Sequence, residues 1–250
     1  MNAVIAGSKE RTLPTDRNRY EFDRIYRFVA ENYGAPEKIA LDYGCGSGYG
    51  TAYLANHFGT IYGIDISTEA VAACRECYSA SNLRFQVLNP NHQPFPEGSF
   101  DFIGSFQVFE HIPLEGVPDF IRYIWLMLRK DGVAIITTPN ANNYFGGQSG
   151  NPFHIKEYKL EELKSAVSQQ IDLRNFEIFA TADVPSTAIR NYVRRSFRAS
   201  QLGEFVARWL SLPVALAERY GLVSISNSPI IKGNRDDVMG GFLVEIHKTK

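Results

Sequence analysis

The sequence predicts an α/β protein built on an open, doubly wound, mostly parallel sheet of seven strands. Three observations carry this expectation. Short apolar runs alternate with stretches of helical spacing through the first two thirds of the chain. The first apolar run enters a cluster of glycines, and the second ends on an acidic residue, Asp65. Alternation at this spacing builds βαβ units with helices on both faces of a parallel sheet. In such sheets ligands sit outside the carboxyl ends of the strands, so the residues just after each strand are the informative ones.

Taken in order, Ile39-Ala40-Leu41-Asp42 reads as a buried strand running into a turn, and Thr51 to His57 as helical. Thr60 to Asp65 is a second strand. Ser67 is placed to cap a helix reaching Tyr78, with Val71, Cys74 and Tyr78 on one face. Leu83 to Val87 and Phe100 to Ser105 are the third and fourth strands. Val117, Phe120, Ile121, Ile124 and Leu128 recur at helical spacing, which predicts a helix ending near Arg129, a turn at Asp131-Gly132, and a fifth strand over Val133 to Thr138. A helix over Lys159 to Val167 and strands over Phe176 to Thr181 and Gly241 to His247 complete the pattern. The long connection before the last strand has helical spacing of its own, with Leu202, Phe205, Val206, Trp209 and Leu210 in one stripe. A structureless segment of that length is uncommon in a compact domain, so an inserted helical lid is expected, its apolar stripe serving as core or pocket wall.

Composition narrows the class further. The chain has 250 residues, with 26 Lys+Arg against 27 Asp+Glu and a hydrophobic content of 44%, which excludes a disordered or fibrous protein. Three cysteines, Cys45, Cys74 and Cys77, make no disulfide framework and fit a reducing, cytoplasmic setting. No apolar run is long enough for a stable membrane insertion. Near-neutral charge argues against a nucleic-acid partner. No zinc spacing is present, because Cys74 and Cys77 form a single pair, and no metal is expected.

The loop Asp42-Tyr43-Gly44-Cys45-Gly46-Ser47-Gly48-Tyr49-Gly50 lets the backbone turn sharply and approach a ligand closely. Its spacing is neither the dinucleotide fingerprint nor a Walker phosphate loop. Asp65, about 20 residues beyond, stands where a carboxylate can take both hydroxyls of a ribose; its plainer reading is a carboxylate at the start of the helix capped by Ser67.

Leu41 to Gly50 resembles the first motif of class I S-adenosylmethionine-dependent methyltransferases, and Gly63-Ile64-Asp65-Ile66-Ser67 resembles their second. Pro94 to Asp101, Ser105-Phe106-Gln107-Val108-Phe109-Glu110-His111-Ile112, Leu128 to Gly132 and Thr138-Pro139-Asn140 continue the likeness in order, over roughly Arg19 to Val167. The resemblance implies a Rossmann-like methyltransferase fold and S-adenosyl-L-methionine as cofactor, with S-adenosyl-L-homocysteine as product. It implies that Gly44, Cys45 and Gly46 line the methionine part, that Asp42 helps hold the amino group, that Asp65 takes the ribose hydroxyls and that Ile66 packs on the adenine. Asn89 stands where the family usually has Asp, and its side-chain oxygen can still accept from the adenine amino group. Gln107 is placed to reach the methionine carboxylate or the acceptor. Arg19 and Tyr20 are read as preceding an N-terminal helix and closing over the cofactor; otherwise Arg19 is a solvated surface charge.

Methyl transfer from a sulfonium needs alignment above all, and a hydroxyl acceptor also needs a base. His111, after strand four, is one candidate; the plainer reading has Glu110 and His111 bracing the next turn. His154 is the other, in Asn151 to Tyr158, a stretch resembling one in methyltransferases of bacterial glycan gene clusters that lies over the active site there; otherwise it is an exposed loop residue. Between Ser186 and Leu222 six arginines face two acids, a basic segment on an otherwise acidic chain. Arg190, Arg194 and Arg198 would form one helical stripe, either solvated or recognising an anionic acceptor.

The expectation is a single methyltransferase domain: 1–37 an N-terminal helical segment, 38–182 the cofactor-binding core, 183–237 the helical lid and 238–250 the last strand. It would methylate a small molecule, at oxygen of a sugar, glycan intermediate or similar metabolite, and a homodimer is admitted. N-methylation of a small molecule or amino sugar, another alkyl transfer, and a non-catalytic cofactor-binding partner subunit are the competing readings.

Overall fold

The computed structural model describes residues 16–89, 95–143, 150–181, 206, 209–210, 230–231 and 241–249. The chain opens with helix α1 (Asp16–Tyr33), followed by strand β1 (Ala35–Tyr43), α2 (Tyr49–Leu54), β2 (Phe58–Asp65), α3 (Thr68–Cys77), β3 (Leu83–Val87) and β4 (Phe100–Phe106). Then come α4 (Val117–Met127), β5 (Leu128–Pro139), α5 (Leu160–Ser168), β6 (Phe176–Thr181), the two-residue β7 (Ile230–Ile231) and β8 (Gly241–His247). The sheet order is β3-β2-β1-β4-β5-β8-β6-β7. Strands β1 to β5 pair in parallel, and β8 runs antiparallel between β5 and β6. The seven expected strands are all there, and Ile230–Ile231 adds a short edge to β6. The order reverses between β1 and β4, which is where a doubly wound sheet opens a crevice at its carboxyl edge.

Successive strand residues feed opposite faces, as the pleat requires. Leu41, Ile103 and Val244 join a core with Ile121, Ile124, Met127 and Leu163 beneath α4 and α5. Their neighbours Ala40, Phe102 and Leu243 join a second core with Val29, Leu54, Phe58 and Val71 beneath α1, α2 and α3. Burial on both faces is why these central strands read as continuous apolar runs.

Local signals set most boundaries. Ser67 is the N-cap of α3, its Oγ accepting from the Ala70 amide at 3.1 Å, and Val71 and Cys74 are the buried face, as the spacing predicts. Helix α4 buries Val117, Phe120, Ile121, Ile124 and Met127. It ends earlier than expected, because Leu128 already pairs with Phe100 in β5. The predicted turn at Asp131-Gly132 is a kink inside that strand. Asp131 takes a φ of 63°, its amide donates to Lys248 O at 2.7 Å, and Lys248 N donates to Gly132 O at 3.0 Å. The β8 end of the chain therefore holds in place what local sequence reads as a break.

Two further expectations need correction. Arg19 and Tyr20 lie within α1, not ahead of it, since the helix begins at Asp16; eighteen residues of amphipathic pattern carry the helix past them. The insertion is not wholly helical, because Ile230 and Ile231 pair with Thr181 and Ala180 as strand. Val206, Trp209 and Leu210 are helical, but Trp209 is 63% and Leu210 55% exposed, so neither is core. Arg190, Arg194, Arg198, Leu202 and Phe205 lie outside the described residues. No helix among those described is long and apolar enough to cross a membrane.

Helix α1 is seated over the start of α2. The Tyr26 ring lies 4.9 Å from the Phe106 ring and 5.5 Å from that of Tyr49, edge-on in both cases. A Cβ at Gly50 would come within 1.9 Å of the Tyr26 ring. Gly50→Ala is therefore expected to lower stability by about 1–3 kcal/mol in urea unfolding. In a double variant with Tyr26→Ala the losses should fall short of additive, since the clash is gone.

Candidate cofactor and acceptor site

The carboxyl ends of β1 to β4 place Asp42 and the glycine loop, Asp65, Asn89 and Gln107 at one edge of the sheet. After β1 the glycine loop folds back on β2: Gly44 N and Cys45 N both donate to Ile64 O, at 2.8 and 3.0 Å. Asp65 ties the two strand ends together. Its Oδ2 accepts from Gly46 N at 3.0 Å and its Oδ1 from Ser67 N at 2.9 Å. Asp65 thus supports the start of α3, as its plainer reading has it, and ties that start to the loop. Gly44 has a φ of 78°, and a Cβ there would meet Val108 Cγ2 at 2.4 Å, so the turn after β4 presses directly on the loop. At Gly46, by contrast, a Cβ would meet nothing within 4 Å. Cys45 is buried beneath the loop, and Cys74 Sγ lies 3.3 Å from Gly46 O.

Asp42 is 1% exposed. Thr51 Oγ1 donates to its Oδ2 at 2.6 Å, while Oδ1 is buried without a hydrogen-bond partner. Burial pushes the carboxyl up to about 7; the Thr51 hydrogen bond opposes this and the nearby Asp65 charge adds to it. Ile66 follows directly on β2, partly buried against the core. Asn89 lies just beyond β3 and is exposed. Gln107 leaves β4 with a φ of 56°, unusual for a side chain of its kind. Its amide donates to Thr137 O at 3.0 Å and its Nε2 to Thr137 Oγ1 at 3.3 Å, anchoring the exit of β4 on β5.

A second cluster forms where the chain leaving β4 meets the segment after β5. Glu110 is 1% exposed. Its carbonyl accepts from Ile155 N at 2.8 Å and Lys156 N at 3.2 Å. Its Oε2 accepts from Thr138 Oγ1 at 3.0 Å, and its Oε1 is buried without a partner. Burial raises this carboxyl to about 7, opposed by its backbone hydrogen bond, by His154 and by Thr138. His111 Nδ1 is 2.9 Å from Phe153 O. His154 Nδ1 is 2.5 Å from Glu157 Oε1, a fully buried carboxylate. The two imidazole rings stand edge to face, 4.9 Å apart. So His154 is not an exposed loop residue, and Glu110 and His111 bond the 153–156 segment.

The set is that of a doubly wound α/β protein binding a nucleoside-containing cofactor, with a polar acid–histidine cluster alongside. The loop with its open side at Gly46, the unpartnered buried Asp42 oxygen and the carboxylate at the end of β2 fit a cofactor carrying an ammonium and a ribose. Comparison with known proteins makes this specific. Residues 41–136 match the family described as "Methyltransferase domain". A "Probable S-adenosylmethionine-dependent methyltransferase" of Mycobacterium tuberculosis is 33% identical over 171 residues, covering 65% of this chain and 60% of that one. A methyltransferase structure from Archaeoglobus fulgidus covers 92% of the chain and is itself covered to 94%, with a TM-score of 0.59 at 15% identity. A Haemonchus contortus phosphoethanolamine N-methyltransferase, solved with phosphomonomethylethanolamine and S-adenosylhomocysteine, covers 94% of the chain and is covered to 56%, with a TM-score of 0.58 at 17% identity. The chain belongs to the class I S-adenosylmethionine-dependent methyltransferases, whose cofactor is S-adenosylmethionine. It spans about 60% of the length of the mycobacterial relative it matches.

Sequence reasoning passed over Glu157 and Thr138 and gave Glu110 only a bracing role. The signal for Glu157 is its position three residues after His154, a spacing at which a turn brings the two side chains together. No local signal joins Glu110 to residues more than 40 positions later.

Asp42 also makes a prediction about stability. Its pKa in the fold lies above the ordinary carboxylate value, so the folded chain holds this proton more tightly than the unfolded one. Stability is then greatest below about pH 4 as far as this group is concerned, and falls as pH rises to about 7. Asp42→Asn should remove that slope. The variant gains on the wild type between pH 4 and pH 8 by up to about 4 kcal/mol, read from urea unfolding of the cofactor-free protein at the two pH values.

Proposed function

We propose that this chain transfers the methyl group of S-adenosylmethionine to an oxygen of a small-molecule acceptor, a sugar, glycan intermediate or similar metabolite. The observation that carries the reading is the pairing of two sites at one sheet edge: a glycine loop with two carboxylates, and beside it a buried acid–histidine cluster. The cofactor supplies a methyl already activated on a sulfonium. Asp42 would accept a hydrogen bond from the cofactor's ammonium, Gly44, Cys45 and Gly46 would follow its methionine part, and Asp65 would take the ribose hydroxyls. Ile66 would cover one face of the adenine, and Asn89 would accept from its amino group. Gln107, fixed on Thr137, would point the methionine carboxylate or the acceptor. Arg19 and Tyr20, in the first turns of the helix that packs on the loop, would close over the cofactor.

An acceptor hydroxyl must lose its proton as the new C–O bond forms. His111 and His154 are the candidate groups for this step. The carboxylate of Glu157 fixes the His154 ring, and the Phe153 carbonyl fixes that of His111, which is how a base is held to one tautomer and one direction. Arg190 and Arg194 would hold an anionic portion of the acceptor.

His111→Ala and His154→Ala should lower kcat by roughly 10²–10⁴-fold in a labelled-methyl assay while leaving cofactor affinity within about twofold. Unchanged turnover in both would remove the base assignment. Asp65→Ala should weaken cofactor binding in calorimetry by roughly 10-fold or more, the loss of hydrogen bonds to a charged group. Neutralising Arg190 and Arg194 together should raise the acceptor KM, and an unaltered KM would exclude anion recognition.

A further inference from the structure

We propose that Glu110, His111 and His154 form the binding site of one divalent transition-metal ion. One ligand atom from each of the three lies within 4.8 Å of the others. Around an ion with nitrogen and oxygen bonds of about 2.0–2.2 Å, ligand atoms sit roughly 3–3.5 Å apart, so modest side-chain rotations complete the set. Two imidazoles and one carboxylate suit zinc, iron, cobalt, nickel or manganese.

What surrounds these residues argues more strongly than proximity does. Metal-bound histidines almost always donate their other ring N–H to a carboxylate or a backbone carbonyl, which fixes the tautomer and turns the remaining lone pair to the ion. Both rings have that arrangement. His154 Nδ1 meets the buried Glu157 carboxylate at 2.5 Å, and His111 Nδ1 meets the Phe153 carbonyl at 2.9 Å. With Nδ1 so engaged, Nε2 is the nitrogen that each ring would offer to an ion. The third ligand is equally prepared. Thr138 Oγ1 holds Glu110 Oε2 at 3.0 Å, and Oε1 is buried with no hydrogen-bond partner. A buried carboxylate oxygen left so is costly, and an ion is the partner that would relieve it.

The frame is also rigid. Ile155 N and Lys156 N donate to Glu110 O, and His111 N donates to Val108 O at 2.9 Å, so the segment carrying His154 is clamped to the turn carrying the other two ligands. Three protein ligands leave coordination positions open, as in catalytic rather than structural sites. The class of acceptor such a site takes is a hydroxyl or a pair of adjacent hydroxyls, whose pKa the ion would lower so that the proton passes to solvent; with the ion bound, His111 and His154 act as its ligands and not as the base. That last step rests on the proposed methyl transfer; the ion site itself does not.

The test uses the full chain, stripped with a chelator and dialysed, then titrated with cobalt(II) chloride and with zinc chloride. One equivalent should bind with micromolar affinity or better, with a visible cobalt band for nitrogen and oxygen ligation. His111→Ala and His154→Ala should each weaken binding roughly 100-fold and Glu157→Gln roughly 10-fold. His247→Ala, at the exposed His247–Glu245 pair, should leave the titration unchanged. Failure of the wild type to bind either ion at millimolar concentration, or equal binding by a His111→Ala/His154→Ala double variant of unaltered circular dichroism, would overturn the site. Calorimetry of cofactor binding and labelled-methyl transfer in chelator separate the two proposals. Undiminished transfer by protein that binds no ion sinks the metal site and leaves the methyltransferase reading, whereas one bound equivalent in a protein that binds no cofactor does the reverse.

Discussion

Glu110 ties the exits of two central strands to the segment that follows the second of them. Its carbonyl receives two amides from the segment after β5, and its carboxylate receives the Thr138 hydroxyl at the end of β5 itself. One residue thereby fixes the exit of β4, the exit of β5 and the 153–156 segment relative to one another. The same segment closes its other end through Ala141 N to Tyr158 O at 2.9 Å and through the packing of Tyr158 on Phe109, ring centroids 4.9 Å apart. A short polar excursion is thus bound to the sheet edge at both ends. His154 and Glu157 are held over the strand tips by this clamp, not by any helix or strand of their own.

A second constraint follows from burial. Asp42 and Glu110 each end or follow a central parallel strand, each is almost wholly shielded from solvent, and each has one oxygen engaged by a threonine and one without a partner. Burial raises both carboxyls to about 7. A folding core would be better served by apolar side chains at such positions, since an unpaired buried carboxylate opposes stability. The fold bears this cost at two points on one edge, and these are the points where a cation or a donor bound from outside would return it. This is the pattern in which local rules fail at a site and hold elsewhere.

The legibility of the sequence divides along the same line. Strands β3, β6 and β8 have the bounds their patterns predict and α3 the predicted start, because apolar period and an N-cap serine are local signals. The glycine loop and Asp65 were readable for the same reason: both belong to one βαβ unit, and their contact closes over nineteen residues. The kink at Asp131 was not readable, because the partner that stabilises its positive φ is Lys248, at the far end of the chain. The sequence pattern puts Arg19 and Tyr20 before a helix that begins at Asp16. The Glu110–His111–His154–Glu157 cluster was half readable: the histidines stood out by type, the acids did not, and their assembly depends on backbone bonds between segments over 40 residues apart.

This asymmetry has a physical cause that bears on how the molecule divides its work. The glycine loop is held largely through backbone: the amides of Gly44 and Cys45 bond the Ile64 carbonyl, and that of Gly46 bonds Asp65. Backbone geometry of that kind needs a local glycine pattern, and the pattern is what the family shares. The acid–histidine cluster, by contrast, is made of side chains brought together by the fold. The basic segment between residues 186 and 222 adds charge of one sign to a chain that is otherwise acidic. The part of the sequence most easily recognised is the part that says least about what is methylated.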